Sequence, residues 1–206
     1  MRIAIFGATG HGGTEAMRLL QSRADVEIAW IGSDRLSGTK VADALPQFRR
    51  AAVGGMRFAP LQEAYDLPNV DVALLAMPHG EAHRYAPPLL EQGIRVIDFS
   101  GDFRLPFAVY EQWYKKTPAA PPQWSAIQLD ELQKRAVYGL PELFKKEIAT
   151  AQLVANPGCH ATCAELSLLP LAEAGCIERS RIIVDAKSGV SGAGKNPQQS
   201  THFVEA

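Results

Sequence analysis

Three short stretches hold residue types that could do chemistry. Asn156-Pro157-Gly158-Cys159 sets a thiol behind a proline-glycine pair that ends a strand and forces a turn, so Cys159 falls in the first turn of the next helix. Unpaired N–H groups at a helix start favour the thiolate, the form of cysteine that attacks a carbonyl carbon. Gly7, Gly10 and Gly13 form G-x-x-G-x-x-G after an apolar run and at the opening of a helical pattern. Such a turn lets the backbone close on a pyrophosphate and aims helix N–H groups at it, although a glycine-rich turn without a ligand has the same composition. The third stretch, Ala186 to Lys195, gathers three glycines and two serines after a strand-like run. Its N–H groups could converge on an anion, or it could be a simple turn.

Around these lie secondary candidates. The second apolar run ends in Ile-Gly-Ser-Asp-Arg, where Ser33 and Arg35 suit a ribose 2′-phosphate while Asp34 could instead accept from a 2′-hydroxyl. Arg104 suits a phosphate or carboxylate ligand, or equally a structural ion pair with Asp98 or Asp102. Cys163 and Cys176 read as small core residues. Cys159, His160 and Cys163 lack the second pair that a tetrahedral metal site needs, and His79 and His83, read as sharing a helix face, lack the H-E-x-x-H order.

The elements that must position these residues follow from hydrophobic periodicity. Apolar runs at Arg2 to Phe6, Val26 to Ile31, Val70 to Met77, Ile94 to Phe99 and Gln152 to Asn156 read as buried strands. Between them lie helical patterns: the segment with Ala16, Leu19 and Leu20, then Glu81 to Gln92 despite Pro87 and Pro88, Leu129 to Arg135, and Glu142 to Ile148. Alternation of this kind implies a Rossmann-like α/β fold with a parallel sheet. An irregular, aromatic- and proline-rich excursion with one short helix spans Pro106 to Ile127, including Pro118 and Pro122. From Cys159 a long helix runs until Gly175 ends it, and Arg181 to Val190 reads as the first strand of a different sheet. The expected division is 1–155 for a dinucleotide-binding domain and 156–206 for the start of an incomplete α+β catalytic and dimerisation domain.

Composition narrows the function class. Hydrophobic residues are 47% and charged residues 21% of 206, ordinary globular usage, and a formal charge of −1 gives no field to attract nucleic acid or anionic lipid. No apolar run reaches the ~18 residues of a spanning helix, and three cysteines without a secretory leader fit a reducing cytoplasm rather than a disulfide framework.

GATGHGG (Gly7 to Gly13), AMPHG (Ala76 to Gly80), VIDFSGDFRL (Val96 to Leu105), YGLPE (Tyr138 to Glu142), NPGC (Asn156 to Cys159) and AKSGVSGAG (Ala186 to Gly194) together resemble the N-acetyl-γ-glutamyl-phosphate reductase family of arginine biosynthesis. The resemblance implies NADPH-dependent reduction of an acyl phosphate to an aldehyde with release of phosphate, through a thioester on Cys159. It implies that Gly7, Gly10, His11, Gly12 and Gly13 hold the pyrophosphate of NADP(H) and that Ser33 and Arg35 meet the 2′-phosphate. Pro78 and Gly80 would line the nicotinamide side, Ser188 and Gly189 would lie close to the cofactor, and Arg104 and Ser191 would meet the substrate. A homo-oligomer is implied for the longer protein. Neighbouring readings are a lysine-pathway acyl-phosphate reductase, a semialdehyde dehydrogenase with another substrate, or a catalytically inactive NADP-binding module. His11 and His160 stand where the family has tyrosine or another aromatic. The family's catalytic histidine falls downstream of residue 206, and His202 in STHFVEA does not match its motif. The chain is therefore expected to be an N-terminal fragment that binds NADP(H) weakly and turns over slowly or not at all.

Overall fold

The structure is a computed structural model that describes residues 1–206 except 68, 116–120, 122, 196–198 and 200–206, and except the side chain at 107. Pro118, Pro122 and His202 lie outside the described residues. The chain divides into two compact units, Met1–Asn156 and Pro157–Ala206.

The first unit is built on one six-stranded, all-parallel sheet. Its strands are β1 (Arg2–Phe6), β2 (Glu27–Gly32), β3 (Val72–Leu75), β4 (Arg95–Asp98), β5 (Val137–Tyr138) and β6 (Leu153–Ala155), in the spatial order β2-β1-β3-β4-β6-β5. Chain order reverses between β1 and β3, which opens a crevice beyond their carboxyl ends, the place where α/β sheets take ligands. The helices are α1 (His11–Leu20), α2 (Val41–Ala44), α3 (Ala82–Glu91), α4 (Phe107–Tyr114), α5 (Ala126–Lys134) and α6 (Pro141–Thr150).

Because successive strand residues point to opposite faces, the four strands β1 to β4 feed two cores. Ala4, Phe6, Ala73, Leu75 and Val96 pack with Tyr85 and Leu89 of α3, while Ile3, Ile5, Val72 and Leu74 pack with Met17 of α1 and with Val41, Phe48 and Phe58. Burial on both faces is why these strands read as continuous apolar runs rather than alternating ones. The same burial keeps α3 helical across Pro87 and Pro88. An interior proline costs ~3 kcal/mol, and fully burying large side chains such as Tyr85 and Leu89 returns ~1.5–3 kcal/mol each. α5 begins at Ser125, whose hydroxyl accepts from the Gln128 N–H in a complete capping box.

In the second unit α7 (Cys159–Glu173) starts at the expected thiol, and Gly175 with φ of 68° follows its end. Two expectations fail there. Residues 181–189 form no strand among the described residues. An extended segment with no neighbouring strand has no ladder to join, and Ile183 is 95% exposed. Cys163 and Cys176 are exposed rather than core residues, since α7 buries none of its side chains and offers no interior to enter. Sequence periodicity also missed β5, a two-residue strand too short to leave a pattern. Among the described residues no helix is long and apolar enough to cross a membrane.

Two features of the frame have measurable consequences. A Cβ on Gly13 would stand 2.5 Å from the Gly7 carbonyl oxygen and 2.6 Å from Ala8 Cα, both backbone atoms that cannot yield cheaply. Gly13→Ala should therefore lose on the order of 1–3 kcal/mol in urea denaturation. Asp98 ends β4 with no solvent exposure and accepts from the Ser100 N–H and hydroxyl at 2.9 and 2.8 Å. Burial, aided by the Asp102 charge and opposed by the Ser100 N–H, pushes its carboxyl up to about 7. The unfolded chain releases this proton in the ordinary carboxylate range, so from about pH 4 to 7 the folded state holds more protons and loses stability as pH rises. Relative to Asp98→Asn, the wild type should lose on the order of 1 kcal/mol per pH unit in that window and nothing further above it, read from urea midpoints across pH.

Candidate active site

The glycine turn sits at the topological switch point. Gly7 follows β1 with φ of 68°, and a Cβ there would lie 2.3 Å from the Ala76 carbonyl oxygen, so the turn lies flush against the chain leaving β3. Gly10 donates to the Gly7 carbonyl at 3.1 Å and is the N-cap of α1, which puts His11 and Gly12 in the first helical turn, both exposed. The first N–H groups of a helix have no intrahelical partner and carry partial positive charge. A cradle closed to side chains by Gly7 and Gly13, with helix donors facing outward, fits a dinucleotide pyrophosphate.

At the end of β2 the structure separates three residues that sequence left ambiguous. Ser33 is buried, its N–H donates to the Ala59 carbonyl at 2.9 Å, and its hydroxyl lies 3.4 Å from that of Thr9, so it faces the glycine turn. Asp34 is turned away. Its Oδ1 accepts the Leu61 N–H at 2.7 Å, at the first residue of the turn Leu61–Tyr65. Arg35 is exposed in the short 3₁₀ turn Asp34–Leu36. One oxygen of the Asp34 carboxylate is thus engaged by backbone, while the hydroxyl and guanidinium that could donate to a 2′-phosphate stand on the same edge.

The loops after β3 and β4 form the opposite side of the crevice. Pro78 is exposed and Gly80 buried. His79 precedes α3 rather than sharing a helix face with His83, and its Nδ1 accepts the Gly101 N–H at 2.7 Å. His83 is buried instead, 3.4 Å from Asp102. Asp102 is a residue whose part here sequence reasoning missed; the only signal was a carboxylate among the glycines and aromatics after β4. It accepts from the backbone of Gly80 and Ala82 and from the Tyr110 hydroxyl. Burial alone would raise its carboxyl, but His83, the Gly80 N–H and Tyr110 outweigh that and hold it below the ordinary carboxylate range.

Arg104 makes neither of the ion pairs considered for it. Nε donates to the Asn156 carbonyl at 2.7 Å and Nη2 to the Phe99 carbonyl at 2.6 Å, tying the loop after β4 to the chain that leaves β6. The Asn156 N–H in turn donates to the Asp98 carbonyl at 2.8 Å. In the second unit Cys159 is the first residue of α7, exposed, with Gly158 as N-cap. Ser188, Gly189 and Ser191 lie in an exposed glycine turn, where Gly192 donates to the Gly189 carbonyl at 3.0 Å and Gly194 to that of Ser191 at 3.1 Å. Among the described residues no group of His, Cys, Asp and Glu could hold a metal ion.

Comparison with known proteins agrees with this frame. The family model described as semialdehyde dehydrogenase, NAD binding domain, matches residues 2–151, and the one described as semialdehyde dehydrogenase, dimerisation domain, matches residues 159–206. N-acetyl-gamma-glutamyl-phosphate reductases of Bacillus cereus (strain AH187) and Bacillus anthracis are each 43% identical over all of this chain. The chain spans 56% of the length of these curated relatives. Among solved structures, aspartate semialdehyde dehydrogenase II of Vibrio cholerae complexed with ASA superposes at TM-score 0.60 with 24% identity, over 84% of this chain and 46% of that one. The Candida albicans aspartate semialdehyde dehydrogenase with NADP superposes at 0.56 with 16% identity, over 85% and 48%. These two share the fold. With its two units matched in order to the two domains of one enzyme family, the chain belongs to the semialdehyde dehydrogenase family.

Proposed function

We propose that this chain is the NADP(H)-binding and thiol-bearing part of an enzyme that reduces N-acetyl-γ-glutamyl phosphate to its semialdehyde with release of phosphate. The observation that carries the reading is Cys159 as the opening residue of a helix, following the end of β6 after Asn156, Pro157 and Gly158. Identity to the Bacillus reductases across the whole chain supports the substrate. The Cys159 sulfur attacks the acyl carbonyl carbon, the bond from that carbon to the phosphate oxygen breaks, and inorganic phosphate leaves from a thioester. NADPH held by the glycine turn would supply the hydride for the thioester carbon; cleavage of the carbon–sulfur bond then returns the Cys159 thiolate and frees the aldehyde. Gly7, Gly10, His11, Gly12 and Gly13 hold the pyrophosphate, and Ser33 and Arg35 donate to the 2′-phosphate. Pro78 and Gly80 line the nicotinamide side, with Ser188 and Gly189 close to the cofactor. Ser191 and Arg104 meet the substrate anion. The dimerisation-domain match supports association of two copies, and three exposed free thiols suit a reducing cytoplasm.

Arg35 separates the two dinucleotides. Arg35→Ala should weaken NADPH binding about tenfold, the scale of one lost charge-assisted contact, while leaving NADH binding unchanged. An unaltered preference, measured by fluorescence titration of both nucleotides, overturns the NADP(H) assignment. The three cysteines offer an internal control because all are exposed, so differences in labelling report reactivity rather than access. Iodoacetamide at neutral pH should modify Cys159 about tenfold faster than Cys163 and Cys176 by peptide mass spectrometry. Equal, slow rates favour a catalytically inactive nucleotide-binding module.

A further inference from the structure

A dinucleotide seated on the glycine turn must extend in two directions. Its adenosine end runs toward Ser33 at the end of β2, so its nicotinamide end runs the opposite way, over the carboxyl ends of β3 and β4. The surface waiting there is composite. Ala76 presses on Gly7, the Phe99 ring lies 3.5 Å from where a Gly12 Cβ would stand, and the Phe99 N–H donates to the Leu75 carbonyl at 3.0 Å. Beyond them the loop at 78–82 and the loop at 99–104 come together, joined by the Gly101 N–H on His79 Nδ1 and by the buried Asp102.

Asp102 is wholly buried, and its two oxygens are shared among donors from two segments. Oδ1 accepts the Gly80 N–H at 2.7 Å and the Tyr110 hydroxyl at 2.9 Å; Oδ2 accepts the Ala82 N–H at 2.8 Å and lies 3.4 Å from His83 Nδ1. Its own N–H donates to the Ser100 hydroxyl oxygen at 3.1 Å. A buried carboxylate costs several kcal/mol unless its lone pairs are filled, and here donors from the 80–83 segment and Tyr110 of α4 fill them. Two of those donors are backbone groups of the very turn that carries Pro78 and Gly80, and Gly80 adopts φ of 96° to present its N–H. Tyr110 is itself held by stacking on Tyr114, with ring centroids 4.9 Å apart.

We propose that Asp102 is a positioning residue for the nicotinamide ring: it locks the turn at 78–82 against the loop after β4 and so sets the wall on which the ring rests, without touching the cofactor. The inference rests on the NADP(H) reading above. Two ligands separate it from that reading, NADPH and 2′-phospho-ADP-ribose, which is the same molecule without the nicotinamide. The wild-type chain should bind NADPH the more tightly. Asp102→Asn should lower NADPH affinity about tenfold and erase the fluorescence change of the bound dihydronicotinamide, while shifting 2′-phospho-ADP-ribose affinity less than about twofold. Tyr110→Phe removes one donor to the same carboxylate without cavity or charge change, and should move NADPH alone in the same direction by about threefold. It decides the matter where Asp102→Asn does not fold. Equal losses for both ligands, or none, in the folded variants overturn the proposal, as does a wild type that binds both ligands equally. A wild type that binds neither overturns the NADP(H) reading itself.

Discussion

The contact on which the rest of the structure depends is that of Gly7 with the Ala76 carbonyl, where a β1 turn without a side chain lies against the chain leaving β3. It exists because two non-consecutive strands are neighbours, with Phe6 opposite Leu75 in register. From that contact the other placements follow. α1 leaves at an angle that buries Ala16 and Met17 under the sheet, its first turn faces the crevice, and the loops after β2 and β3 flank it on either side. The chemistry proposed for this protein needs a long ligand laid across several strand ends, and only a parallel sheet with a reversal in strand order provides that line of backbone donors.

Much of this was legible in the letters because burial on both faces leaves an unbroken apolar run. Val72 to Leu75 is buried at every residue, and sequence marked it within two residues at either end. The glycine turn was legible for a similar reason, since close approach excludes side chains and leaves glycine as the record. What was not legible depended on partners far away in sequence. β5 is two residues long and exists only through its pairing with β6. The run at 181–190 has strand composition but gains no ladder, because composition records preference and pairing requires a neighbour.

Charged residues were the least readable part of the site. Asp34, Asp98, Asp102 and Arg104 all stood near the right places, yet their letters do not say which way each turns. Asp34 turns to the Leu61 N–H, and Arg104 to two carbonyl oxygens rather than to a carboxylate. In both cases the partner is backbone, which every residue carries and no pattern reveals. The carboxylates at 98 and 102 shift in opposite directions although both are buried. One meets chiefly the serine two residues ahead, and the other collects donors from α3, the loop before it and α4.

The order of strands at the far edge of the sheet has a consequence for how the protein is made. β5 comes before β6 in the chain but lies outside it, bonded to β6 alone. During synthesis, residues 137–138 therefore emerge before their strand partner and can join the sheet only once 153–155 have left the ribosome and joined β4. The rim of the domain is templated by a strand made after it, so the first unit can close only once the segment leading to Cys159 is nearly complete.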